Sequence, residues 1–68
     1  MKIAVLGTGS MGKTHASIYK NFNDVEAVTI VGRDKTKTQE IATALGIQAT
    51  TNALEVLQDT SIDIVDIC

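Results

Sequence analysis

A glycine-rich stretch, Gly7-Thr8-Gly9-Ser10-Met11-Gly12, follows directly on the apolar run from Lys2 to Leu6. No other feature limits so strongly what this chain can fold into. The run reads as a short buried strand and Met11 onward reads as a helix, so a G-x-G-x-x-G loop sits where strand hands over to helix. In that position Gly7 permits the tight turn, Gly9 lets a pyrophosphate approach the backbone, and Gly12 lets helix and strand pack closely. The free N–H groups at the helix start, with the helix dipole, attract phosphate. A loop of this kind can also be glycine-rich for packing alone. Its place after an N-terminal strand makes a bound dinucleotide the stronger reading.

The rest of the chain alternates strand and helix without proline, linker or repeat, which predicts an α/β fold with a parallel sheet. Met11, His15, Ile18, Tyr19 and Phe22 recur at helical spacing and predict one apolar stripe on a helix over 10–22. Val25 to Val31 predicts a second buried strand, ending at Gly32. The next helix is expected from Lys35 to Leu45, capped by Asp34 or by a Thr36-to-Gln39 capping box, with Gly46 at its C-terminal end. Ile47 to Thr50 reads as a third strand, and Asn52 to Gln58 as a short capped helix. Ile62 to Cys68 reads as a fourth strand. Right-handed crossovers give the Rossmann-type order 3-2-1-4, with the switch point between strands 1 and 4, where the Gly7 loop also lies. Strand 4 would be a long apolar edge, which proteins avoid exposing. The expectation is therefore that residues 1–68 are the N-terminal part of a dinucleotide-binding domain from a longer two-domain protein. Self-association of a small unit is the alternative.

Folds that prefer NAD place an acidic residue at the end of strand 2, about 20 residues past the glycine loop. Here Gly32 stands there, followed by Arg33. Without a carboxylate nothing repels a 2′-phosphate, and Arg33 offers a planar fork that can grip one or stack on adenine. Lys35 and Lys37 add positive charge, and Asp34 is occupied if it caps the next helix. NADP is therefore favoured over NAD. The bland alternative is a solvated basic turn.

A net charge of −2, no basic stripe, and only Tyr19 and Phe22 as aromatic residues argue against nucleic-acid binding. No apolar run approaches a membrane span or a signal peptide, and the lone Cys68 permits no internal disulfide, so a cytoplasmic location is expected. His15 reads as a hydrogen-bonded core or interface histidine on the face packed against the sheet. Asp63 and Asp66, three apart on a strand, point to opposite sides and read as solvent or helix-cap partners. Cys68, at the carboxyl edge of strand 4, is expected to place its backbone beside the cofactor. No base near it in sequence marks it as a nucleophile. No metal-ligand cluster and no catalytic residue is expected.

Several segments together resemble the glucose–fructose oxidoreductase/inositol dehydrogenase/rhizopine-catabolism (Gfo/Idh/MocA) family. They are the opening from Met1 to Ala16 with its His15-Ala16 pair, Val31-Gly32-Arg33-Asp34, Ala44-Leu45-Gly46, and Ile62 to Cys68. The resemblance covers the whole chain. It implies an N-terminal Rossmann domain binding NAD(P), followed by an α/β domain with an open antiparallel sheet. It also implies a dehydrogenase or reductase acting on sugars, inositols or related polyol and carbonyl compounds, and a homo-oligomer in the full-length protein. Gly7, Thr8, Gly9, Ser10, Met11 and Gly12 match the family's pyrophosphate loop, and Arg33 matches the position beside the adenosine ribose. The family's catalytic lysine, in a Glu-Lys-Pro motif beyond strand 4, and its histidine base in the second domain have no counterpart in these 68 positions. A dinucleotide-sensing regulator that kept the fold and lost the chemistry is the alternative function. A Rossmann enzyme of the imine or prephenate-reductase kind is a third reading, against which the His15-Ala16 pair and strand 4 count.

Overall fold

The computed structural model describes all 68 residues, as seven elements. They are β1 (Lys2–Leu6), α1 (Ser10–Tyr19), β2 (Ala27–Val31), α2 (Lys35–Leu45), β3 (Gln48–Thr50), α3 (Ala53–Gln58) and β4 (Ile64–Ile67). The strands form one parallel sheet in the order β3-β2-β1-β4, as expected. Register pairs Val5 with Ile30 on one side and with Asp66 on the other. No helix is long and apolar enough to cross a membrane.

Alternation along the strands divides the core between two faces. Ile3, Val5, Val28 and Ile30 point to the side covered by α1 and α2, where Ala16 and Ala42 are fully buried against them. Tyr19, Ile41 and Leu45 close the edges of this cluster. The opposite face is thinner: Ala4, Val31 and Val56 of α3, with Leu6, Ala53 and Ile62 around them. Leu54 and Leu57 of α3 remain exposed, as do Ile64, Val65 and Ile67 on the edge strand β4.

Local chemistry sets the boundaries. Asp34, rather than Thr36, caps α2, its Oδ1 accepting from the Lys37 N–H at 3.0 Å. Gly46 ends that helix in the left-handed region at φ 70°, and Ile47 is still tied to the Ala42 carbonyl (2.9 Å), so β3 begins one residue later than expected. Asn52 caps α3 through the Glu55 N–H (3.1 Å). Helix α1 stops at Tyr19 instead of residue 22. Asn21 and Phe22 turn to three-residue hydrogen bonds with Ile18 and Tyr19, and the Asn21 side chain donates to the Ser17 carbonyl (3.0 Å). Val25 is held in a turn by Phe22, which delays β2 to Ala27. Ile62 is likewise held by Asp59, which delays β4 to Ile64.

The expected stripe on α1 is corrected. Met11, Ile18 and Phe22 are exposed, and the face against the sheet is Gly12, Ala16 and half-buried Tyr19. Small residues at i and i+4, Gly12 and Ala16, bring the helix axis close to β1 and β2. Larger side chains on that line would hold it off.

Candidate functional site

The carboxyl ends of all four strands meet at one rim, and hydrogen bonds of the sheet continue into it. The Gly7 N–H donates to the Val31 carbonyl (2.9 Å), Gly32 to Thr50 (3.2 Å) and Cys68 to Leu6 (2.9 Å). The loop after β1 is thereby clamped between the ends of β2 and β4. Above it opens a cleft of about 620 Å³ whose walls include Gly7, Thr8, Gly32, Arg33, Asp34, Lys37, Thr51 and Cys68.

Steric tests separate the loop's three glycines. Gly7 has φ 135°, which L side chains rarely adopt, and a Cβ there would lie 3.0 Å from the Cys68 carbonyl oxygen. A Cβ on Gly12 would overlap the Gly7 carbonyl oxygen and come within 2.8 Å of its carbon. Gly9 is different. It sits at φ −73° and ψ −175°, open to any residue, and a Cβ on it would meet nothing within 4 Å. The fold needs no glycine there.

Gly9 is the N-cap of α1 and offers no capping side chain, and no acidic residue lies in the first turn. The N–H groups of Ser10, Met11 and Gly12 have no acceptor; the first helical bond is Lys13 N–H to the Gly9 carbonyl (3.1 Å). A ten-residue helix thus presents its unsatisfied donors, and the positive end of its dipole, over a bare backbone. Ser10 and Met11 belong to this donor set and are exposed, and Gly12 is packed against Gly7.

At the far end of the cleft a Cβ on Gly32 would overlap Thr8 Cγ2 and Thr38 Oγ1. Thr38 is itself fixed by donating to the Asp34 carbonyl (2.6 Å). An acidic side chain at 32 would displace one of the two threonines, so close packing explains the missing carboxylate without reference to a cofactor. Arg33 and Lys37 border the cleft and form no ion pair, whereas Lys35 lines a separate recess of about 210 Å³ beside Thr50 and Thr51. Thr51 and Ala53 of the cleft wall were not singled out from the sequence. The strand order itself, with β3 beside β2, could have found them.

The remaining candidates converge at the end of β4. Tyr19 O–H donates to Asp66 Oδ2 (2.6 Å), and His15 Nδ1 lies 2.6 Å from the same oxygen. An ionised carboxylate only accepts, so Nδ1 carries the proton. Cys68 S–H donates to Asp66 Oδ1 (3.7 Å), and its Sγ is 3.3 Å from His15 Nδ1. Asp66 is therefore not a solvent partner, as its spacing suggested, but the hub of a cluster; Asp63 accepts from the Lys2 N–H (2.7 Å) at the opposite end of the strand. The Tyr19 hydrogen bond first, then that of His15, holds the Asp66 carboxyl below the usual carboxylate range. The same bond pushes the Tyr19 phenol up. Burial, followed by the Asp66 charge, pushes the Cys68 thiol up. Both the carboxylate and the sulfur face the same imidazole nitrogen, so His15 cannot relay a proton between them. A protonated thiol in that position is no nucleophile. His15, Asp66 and Cys68 also present ligand-type atoms within 4.8 Å of one another, but each is already engaged within the cluster.

A family model described as an oxidoreductase family with an NAD-binding Rossmann fold, Gfo/Idh/MocA, matches residues 1–68. The chain is 33% identical over 69 residues to 4-carboxy-2-hydroxymuconate-6-semialdehyde dehydrogenase of Sphingobium sp., covering 100% of this chain and 22% of that protein. Among solved structures it is similar to GenD2 from gentamicin A biosynthesis in complex with NAD (31% identity, TM-score 0.86, 100% of this chain and 20% of that one). It is also similar to myo-inositol dehydrogenase from Lactobacillus casei in complex with NAD(H) and myo-inositol (25% identity, TM-score 0.85, 100% and 21%). The chain spans about a fifth of the length of these relatives.

Proposed function

The chain belongs to the Gfo/Idh/MocA oxidoreductase family, with its NAD-binding Rossmann fold, and from that membership we propose that residues 1–68 form the first part of the cofactor domain of an NAD(P)-dependent dehydrogenase. The substrate class is a sugar, inositol or related polyol or carbonyl compound. Support comes from relatives solved with NAD, one of them also with myo-inositol. The observation that carries the reading is Gly9. It is a glycine the fold does not require, in open space, beside three unsatisfied N–H groups at the start of α1.

In this reading the pyrophosphate lies over Gly9 and is held by the N–H groups of Ser10, Met11 and Gly12. Gly7, Thr8, Gly32 and Cys68 form the cleft walls, and Arg33 faces the adenosine ribose. A nicotinamide cofactor supplies the chemistry by accepting or delivering a hydride. The residues of this chain bind and orient it, and none of them is catalytic.

Within this site NADP is the favoured cofactor. Arg33 and Lys37 are unpaired beside the cleft, and one oxygen of Asp34 is occupied by the Lys37 N–H. Calorimetric titration of the full-length protein with NAD and NADP tests this. Arg33→Ala is expected to weaken NADP by about 1.5–3 kcal/mol, the worth of a charged hydrogen bond, and NAD much less. Equal losses would make Arg33 a stacking residue. A parent protein that binds NAD more tightly would overturn the choice of NADP.

A further inference from the structure

Helix α1 packs on β1, β2 and α2 through apolar and small residues, but its ties to β4 are polar. His15 and Tyr19, four apart and therefore on one helix flank, converge on a single oxygen of Asp66. Asp66 stands in register with Val5, two residues before Cys68. The Cys68 carbonyl in turn abuts Gly7, and its thiol donates to the other oxygen of Asp66. One carboxylate thus connects the flank of α1 to the strand end against which the glycine-rich loop is pressed.

We propose that Asp66 is a positioning residue for the cofactor site. By holding His15 and Tyr19 it sets the tilt of α1 on the sheet, and so the aim of the Ser10, Met11 and Gly12 N–H groups relative to Gly7. This rests on the cofactor reading above. Asp66 does not itself touch the proposed phosphate position; it acts through the helix. Ten residues of helix are a rigid lever, and catalytic or binding geometry tolerates shifts of only about half an ångström before contacts weaken.

The test is a double-mutant cycle in the full-length protein, reading the dissociation constants of NAD and NADP by calorimetry and the urea midpoint of unfolding separately. Asp66→Asn preserves volume and one acceptor but removes the charge that both donors share. Its dissociation constant for the better-bound cofactor is expected to rise about tenfold. In a Tyr19→Phe/His15→Ala background the same substitution is expected to add no further loss, because the groups through which it acts are gone. Tyr19→Phe alone, which removes a single oxygen, is expected to cost about threefold, and it carries the test if Asp66→Asn does not fold. A lowered urea midpoint with unchanged cofactor affinity would reduce Asp66 to a stabilising residue and overturn the proposal. So would an equal loss in both backgrounds, which would mean that Asp66 acts by a route other than the flank of α1, through Cys68 or by direct contact with the cofactor. A parent protein that binds neither nucleotide overturns the cofactor reading itself, an outcome distinct from either of these.

Discussion

The start of α1 and its flank are fastened to the sheet by opposite means. At the start the fastening is steric: Gly12 lies so close to the Gly7 carbonyl that no side chain fits, and a Cβ on Gly7 would lie 3.0 Å from the Cys68 carbonyl oxygen. Along the flank the fastening is electrostatic: two donors share one oxygen of a half-buried carboxylate. Contact between backbones is all or none, with no proton or ion to adjust it. A hydrogen-bonded carboxylate is graded, and pH can remove it. The site between them therefore inherits a rigid floor and an adjustable wall.

The largest effect is expected from Gly12→Ala. The added methyl overlaps the Gly7 carbonyl, so α1 must move outward and open the cluster around Ala16, Val5 and Ile30. Overpacking of this kind costs about 1–3 kcal/mol or more. The urea midpoint should fall accordingly, in acid as well as at neutral pH. A variant as stable as the parent would show that the helix start is not fastened sterically.

The flank should give a smaller, pH-dependent effect. The folded state holds the Asp66 carboxyl below its ordinary value, so its contribution is fully present above about pH 4 and is lost as pH falls through the depressed value. The Tyr19 phenol is raised, so its contribution is present below about pH 10 and is lost as pH rises through the raised value. The groups facing Asp66 are His15, Tyr19 and Cys68. The stability difference between parent and Asp66→Asn should hold at neutral pH and shrink toward zero in strong acid. Asp59, also depressed by its bonds to Ser61, titrates in both proteins and cancels. A difference unchanged in strong acid would mean that the flank, too, is fastened by packing alone.

These two fastenings were not equally legible in the sequence. Strand order followed from apolar runs and the handedness of crossovers. The caps at Gly46 and Asn52 followed from residue types whose local chemistry is complete within a few positions, and the cap of α2 was narrowed to Asp34 or Thr36. The glycine loop was legible for the same reason. The buried face of α1 was misread because large apolar side chains marked the wrong flank. What packs a helix onto a sheet is the smallness of Gly12 and Ala16, and that carries little hydrophobic signal. The Asp66 cluster was hidden by distance: His15 and Asp66 are separated by 51 positions and meet only through the register of β4 on β1. Strand spacing told that Asp63 and Asp66 point to opposite sides, but not that the flank of a helix lies over Asp66.

The smallest effect on stability should come from Gly9→Ala, and it divides the two halves of the loop most sharply. Gly7 and Gly12 are glycines because the protein's own atoms crowd them; Gly9 is crowded by nothing. Its backbone is extended, so alanine introduces no strain, and the urea midpoint should fall by no more than the helix-start preference for glycine over alanine at an N-cap, at most about 1 kcal/mol. If the space above Gly9 is for a pyrophosphate, a methyl there keeps the phosphates from the Ser10, Met11 and Gly12 N–H groups. Gly9→Val should do so more severely, abolishing cofactor binding in a folded protein. Calorimetric titration of parent, Gly9→Ala and Gly9→Val should then show affinity falling in that order while stability barely moves. Unchanged affinity in a folded Gly9→Val protein would mean that the open space above the loop belongs to solvent, and the cofactor would have to be sought elsewhere on the rim.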